Sequence, residues 1–267
     1  MTDAIIISLS SAPGFNLAAE EYLFSQRQDN VIFLYVNAPC VVIGCNQAVH
    51  AEVNLNYCRF NHIEVMRRIS GGGAVYHDNG NLNYSVIRNR EVNRFPLNRD
   101  FLDPFISLLN GMDLPVTAGN RKDLWLSGCK VSGTASHIGK SRSLHHGTLL
   151  YDTDIERLKL SLAAESTDNP AGQLVCENRV SPANRINIQE AVKSISSVPS
   201  PVMNIRTYLE KSGKKALPAM DFFQLLEKEL LDHCNIAEIQ HFSIQEETAI
   251  REIQQNTYQK LSWIYKK

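Results

Sequence analysis

Short apolar runs rich in β-branched residues alternate with turn residues over the first half of the chain. Residues 5–9, 31–36, 41–44, 63–67, 74–77 and 82–87 each read as a strand. One helix interrupts them. Asn16 is a good N-cap type, and the helix-forming run from Leu17 to Phe24 follows it. Leu17 and Phe24 are seven residues apart and share a face, with Glu20 or Glu21 near the seam, where a carboxylate reads as the solvated edge of the helix ahead of the alternative, a site carboxylate. A second helix is predicted over 104–109, capped by Asp103, with Pro104 at its first position and Asn110-Gly111 as its stop. Residues 124–126, the turn Ser127-Gly128 and residues 130–136 form a candidate hairpin, and 144–151 a further strand. Beyond Asp152 the spacing turns helical, with Ile155, Leu158 and Leu162 on one stripe and another stripe over 220–231. The polar, Pro-containing stretch 165–185 reads as a long functional loop. Residues 194–201 resemble a linker, and Ser243 with Glu246 makes a capping box before a last helix toward Tyr258. The pattern predicts a mixed α/β fold with a main domain over 1–245 and a C-terminal helix over 246–267.

Composition narrows the class. The 267 residues are 43% hydrophobic and 21% charged, which suits a globular domain and excludes whole-chain disorder. The longest apolar runs fall far below the roughly 20 residues needed to span a bilayer, so no membrane partner is expected. Asp3 stands where a secretory leader would be basic, which predicts a cytoplasmic protein. Six cysteines show no C-x-x-C spacing and read as reduced, buried small hydrophobes. With 27 basic against 28 acidic residues there is no charge excess for binding nucleic acid.

Three segments carry candidate chemistry. In Arg67-Arg68-Ile69-Ser70-Gly71-Gly72-Gly73-Ala74-Val75-Tyr76-His77-Asp78, three glycines join two strands. Such a loop either turns its N–H groups on an anion, with one of the two arginines facing the ligand, or is a flexible turn with surface arginines. In Ser127-Gly128-Cys129-Lys130-Val131-Ser132-Gly133-Thr134-Ala135, a lysine sits among small residues, suited to a phosphate or a developing oxyanion. Cys129 is the rival, a thiol nucleophile, but on one strand it faces away from Lys130. In Leu144-His145-His146-Gly147-Thr148, adjacent histidines on a strand face opposite ways, so one meets a polar site and the other packs elsewhere. Gly139-Lys140-Ser141 lacks the earlier glycine of a P-loop, where Thr134 stands.

Taken together these segments, with Asn16-Leu17-Ala18-Ala19-Glu20-Glu21-Tyr22-Leu23, residues 39–47 and Gly80-Asn81, resemble the lipoate-protein ligase A family, in the larger group of biotin ligases and octanoyltransferases. The resemblance implies the biotin/lipoate-protein ligase catalytic fold and an enzyme that activates lipoate with ATP and Mg2+ to lipoyl-AMP. The lipoyl group then passes to a lysine of acceptor lipoyl domains, those of 2-oxoacid dehydrogenase E2 subunits and the glycine cleavage H protein. It implies Lys130 as the catalytic residue and Arg68, Gly73, Ala74, Val75, Tyr76 and Asp123 at the ATP and adenylate, with Asp123 a possible metal ligand. Ser70, His77, Lys130 and His146 would line the lipoate site, with Leu17, Tyr35, Val42 and Ala135 along the acyl tunnel. The family's usual Arg-Asn-Asp-Leu is here Arg121-Lys122-Asp123-Leu124, and the basic residue common after Ile-Gly is Cys45. Leu261-Ser262-Trp263-Ile264-Tyr265 resembles the segment that precedes the family's accessory C-terminal domain, so that domain is expected to be lacking or supplied by a separate protein. Two alternatives stand beside this: an octanoyltransferase using acyl carrier protein through Cys129 or Cys176, and a binding half of a split ligase without turnover.

Overall fold

Strand pairing gathers the apolar runs of the first half into three sheets. The computed structural model describes residues 2–90, 100–162 and 196–266. The largest sheet has the order β1-β2-β6-β11-β10, formed by Ala4–Ile7, Val31–Val36, Asn81–Asn89, Arg142–Leu150 and Thr134–Ile138. Only β1 and β2 run parallel within it. A second sheet orders β4 (Glu64–Arg67), β3 (Cys40–Ile43) and β5 (Val75–His77). A third orders β7 (Thr117–Ala118), β8 (Leu124–Leu126) and β9 (Cys129–Ser132).

The period-two pattern sorts side chains onto two cores. On β2, Ile32 and Leu34 face a cluster with Tyr84, Val131, α4 (Asp103–Gly111), α6 (Ile205–Lys211) and α7 (Ala219–Cys234). Val31, Phe33 and Tyr35 face the other way, toward α1 (Pro13–Ser25) and α8 (Ile244–Ile253). On that second face the rows Tyr35–Asn83–Thr148 and Phe33–Ser85–His146–Ala135 run across the sheet. The polar members of those rows form the floor on which the candidate site rests. A third cluster packs Val41, Ile43 and Tyr76 against α2 (Val49–Glu52), α3 (Leu55–Phe60) and α5 (Ile155–Leu162).

Several boundaries differ from expectation for physical reasons. α1 starts one turn early, with Pro13 at its first position and Ala12 as N-cap, so Asn16 is a buried residue of the helix rather than its cap. The side chain of Asn16 instead accepts from Ser8 Oγ (2.6 Å) and donates to Ser10 O and Asn37 Oδ1 (2.8 Å each). Asp103 is likewise inside α4, whose N-cap is Leu102. The expected strand over 130–136 is divided at Gly133: β9 pairs with β8, and β10 pairs with β11. The Ser243 and Glu246 capping box is present, and α8 continues into a π-helical turn, Gln254–Tyr258, before α9 (Leu261–Ile264). The loop 165–185 lies outside the described residues. No helix of the described residues is long and apolar enough to cross a membrane.

Candidate functional site

Where the second face of the large sheet meets the glycine loop, a cavity of about 290 Å³ opens. Leu17, Tyr35, Val42, Val75 and Ala135 give it an apolar side. Arg68, His77, Asn83, Lys130, Asp123, His146 and Thr148 give it a polar one, and Gly72, Gly73 and Ala74 bring backbone to its wall. All the expected tunnel residues therefore meet here. Among the expected site residues, two do not line the cavity. Tyr76 points to the opposite side of β5, where it packs with Val41 and Ile43, as strand alternation with Val75 and His77 requires. Ser70 lies one layer behind the wall, its hydroxyl accepting from Arg68 Nε (2.9 Å) and 2.7 Å from His146 Nε2.

The two arginines part as the alternation predicts. Arg68 faces the cavity, and its guanidinium donates to Val42 O (3.0 Å), Gly71 O (2.6 Å) and Gly73 O (2.7 Å), so it shapes the glycine loop from within. Burial lowers its pKa to about 10, which leaves it a cation at neutral pH. Gly72 adopts φ +88°, a conformation that favours glycine. Two residues on, the Ala74 N–H donates to Ser197 Oγ (2.9 Å), which also accepts from Gln47 Nε2 (3.1 Å). The stretch read as a linker thus lines the site through Ser196, Ser197 and Val198.

Lys130 reaches the cavity from β9, and Cys129 beside it is not among the lining residues. Lys130 N donates to Pro201 O (2.8 Å) and its carbonyl accepts from Met203 N (3.2 Å), so 201–203 holds it in place. Its ammonium lies 3.4 Å from Asp123 Oδ2. Asp123 is the single acidic side chain on the cavity wall among the described residues, and its Oδ2 makes no hydrogen bond there. Arg68, Arg121 and Lys130 outnumber it, which suits an anionic ligand.

Glu20 is the residue that reading the sequence misplaced. It is not a solvated edge but a buried carboxylate, 1% exposed, accepting from Tyr35 OH (3.1 Å), Ser85 Oγ and His146 Nδ1 (3.0 Å). Burial pushes its pKa up, but His146 and these hydrogen bonds outweigh that and hold it below the ordinary 4.5. The signal was present as Asn16 and Glu20, a polar pair spaced i, i+4 and set among Phe15, Leu17, Ala18 and Ala19. His145, as expected, faces away from His146 and stacks on Phe101 with ring centroids 4.2 Å apart.

His77 has its tautomer set by a chain of amides. Asn37 Oδ1 accepts from Asn16, which turns Asn37 Nδ2 onto His77 Nδ1 at 3.0 Å. A nitrogen that accepts there leaves the proton on Nε2, which is buried and has no hydrogen-bond partner among the described residues. Burial, with Arg68 adding to it, lowers the His77 pKa to about 3, so the ring is neutral and offers one N–H at the cavity wall.

Comparison with known proteins agrees with this geometry. Residues 12–231 match the profile of the lipoyl protein ligase A/B catalytic domain. A lipoate-protein ligase of Bacillus subtilis is 30% identical over 257 residues, covering 95% of this chain and 70% of its own. Lipoate–protein ligase 1 of Staphylococcus aureus is 37% identical over 60% of this chain and 48% of its own. A putative lipoate-protein ligase A of Schizosaccharomyces pombe is 39% identical over 61% and 45%. The matched region thus spans about half the length of the last two relatives. Among solved structures, the bipartite lipoate protein ligase of Thermoplasma acidophilum, described with its E2 lipoyl domain, superposes with a TM-score of 0.76 at 22% identity, over 99% of this chain and 96% of that one. A lipoate-protein ligase A bound with ATP gives 0.75 at 21%, over 99% of both chains.

Proposed function

Because the chain belongs to the lipoyl protein ligase A/B catalytic domain family, we propose that it activates lipoate with ATP and transfers the lipoyl group to a lysine of an acceptor lipoyl domain. The observation that carries this reading is the cavity in which Lys130 and Arg68 together face an apolar recess beside the glycine loop. Relatives named as lipoate-protein ligases and solved neighbours described with lipoic acid and with ATP support it.

In this reading Leu17, Tyr35, Val42 and Ala135 enclose the acyl chain and turn its carboxylate toward Lys130. Carboxylate oxygen attacks the α-phosphorus, pyrophosphate leaves, and lipoyl-AMP forms. The acceptor amine then attacks the acyl carbonyl and AMP leaves. Both steps gather negative charge on oxygen, which Lys130 stabilises as a positioned cation that needs no reorganisation. Arg68 and the backbone of Gly73, Ala74 and Val75 hold the adenylate phosphate, the Ala74 N–H exchanging Ser197 Oγ for it, while Tyr76 contributes to the loop by packing from behind. His77, neutral and donating through Nε2, fixes a ligand oxygen without taking a proton. His146, held by Glu20 and Ser70, fixes the wall of the acyl site. Asp123 would hold a Mg2+ shared with substrate phosphates through Oδ2, a buried oxygen that accepts no hydrogen bond among the described residues and faces the Lys130 ammonium at 3.4 Å. The ion would neutralise phosphate charge; Asp123 and Lys130 would otherwise divide that region between them.

The reading includes E2 lipoyl domains and the H protein as acceptors and a cytoplasmic setting, in keeping with five unpaired thiols among the described residues. It also includes a catalytic unit over 1–245 closed by residues 246–267, whose Ile250, Tyr258 and Ile264 share the core of α1. The test incubates the purified chain with lipoate, ATP, Mg2+ and an apo lipoyl domain, beside a reaction supplied with lipoyl-AMP, and reads acceptor mass. A gain in both reactions supports the full sequence, and a gain with lipoyl-AMP alone restricts the chain to transfer. No gain in either overturns the reading.

A further inference from the structure

Arg67 is fully enclosed, yet it does not line the cavity. The six hydrogen bonds its guanidinium makes among the described residues all go to backbone carbonyls. Nε donates to Trp263 O (3.0 Å) and Ile264 O (2.9 Å), and Nη2 to Lys266 O (3.2 Å). Nη1 donates to Gly44 O (2.9 Å), Cys45 O (3.2 Å) and Gln47 O (2.8 Å). Trp263 Nε1 returns a bond to Arg67 O at 2.8 Å. A planar fork of five N–H groups can join two segments in this way, whereas the three donors of a lysine radiate from one point.

The far side of the 44–47 loop is the glycine loop. Cys45 N donates to Ser70 O (2.8 Å), and a Cβ on Gly44 would stand 2.2 Å from Gly72 O, so the two backbones are in direct contact. Gln47 accepts from Gly44 N (2.9 Å) and donates to Ser197, the hydroxyl that receives Ala74 N–H. A continuous set of contacts therefore runs from 263–266 through Arg67 to the amides at the cavity.

We propose that Arg67 is a positioning residue through which the seating of the C-terminal segment 263–266 sets the conformation of the glycine loop. Its effect on catalysis rests on the ligase reading; its effect on the loop does not. Two variants test it. Trp263→Phe keeps an aromatic ring and removes one bond to Arg67, and Arg67→Lys keeps the charge and removes the fork. Amide exchange is followed by mass spectrometry in peptides covering 44–47 and 70–75, together with KM for ATP and for lipoate below the melting temperature. Faster exchange at 70–75 is expected in both. In Trp263→Phe the KM for ATP should rise about fivefold, the effect of one ordinary hydrogen bond, with the KM for lipoate unchanged. If Arg67→Lys does not fold, Trp263→Phe decides alone. A lowered Tm with unaltered exchange at 70–75 overturns the proposal and leaves Arg67 a structural clamp. Should the chain show no turnover, the exchange data still decide the coupling, so failure of the ligase reading and failure of this one stay distinct.

Discussion

Lys130 draws its importance from how little else it does. Its ammonium meets Asp123 and the cavity but packs little core, so Lys130→Ala should abolish lipoyl transfer while the fold persists. Acceptor mass and a circular dichroism spectrum check the two halves. Losing its partner leaves Asp123 buried, so a lowered Tm is also expected. His77 carries a pH signature. The unfolded chain takes up this proton near 6.5, the folded one only near 3, so between these values the unfolded state holds more protons. Stability from neutral His77 is complete above pH 6.5 and declines as pH falls toward 3, by at most about 1.4 kcal/mol per pH unit. His77→Gln should flatten that limb in urea titrations between pH 6 and 4; an unchanged slope would count against it. Glu20 acts lower, its contribution being full above 4.5 and lost as pH falls through its depressed folded value. The choice of Arg68, Lys130 and His146 came from the family resemblance, while that one member each of Arg67–Arg68, Cys129–Lys130 and His145–His146 turns to the cavity was legible in the sequence from strand alternation. Glu20, Gln47 and Ser197 were not, since their partners lie 15 to 150 residues away and no local spacing encodes them.

Elements carry the consequences of close approach. Gly44→Ala would drive a methyl group into the carbonyl of Gly72, backbone against backbone, with neither able to rotate away. A loss of about 1–3 kcal/mol, as for other overpacked sites, is expected in chemical denaturation, with a raised KM for ATP because the glycine loop must shift. Ser243→Ala removes the hydroxyl that caps α8 and should cost about 1 kcal/mol without touching KM, which separates the remote face of α1 from the site. The division of the expected 130–136 strand shows what local pattern leaves out. One alternation of small and apolar residues runs through Gly133, yet β9 and β10 belong to different sheets, and only their partners, β8 and β11, decide this. The start of α1 was hidden for a related reason: Asn16 has the chemistry of a cap, and the fold spends it on Asn37 instead.

At the scale of the whole molecule, the mixed α/β class was readable from the order of strand and helix patterns, while the three-sheet division was not. The strand order β1-β2-β6-β11-β10 places first and late parts of the chain side by side. Glu20 finds its histidine 126 positions later, and Lys130 is braced by a segment near Val202. On a ribosome adding about 5–20 residues per second, the interval between Glu20 and His146 is roughly 6–25 s. Through that time α1 carries a carboxylate destined for the interior whose histidine is not yet made. Hydration of Glu20 therefore opposes early docking of the helix and defers closure of the cavity until β11 exists. A nascent chain of this protein should gain protease resistance around α1 only after His146 has emerged, making the same ion that orders the finished site a timer for its assembly.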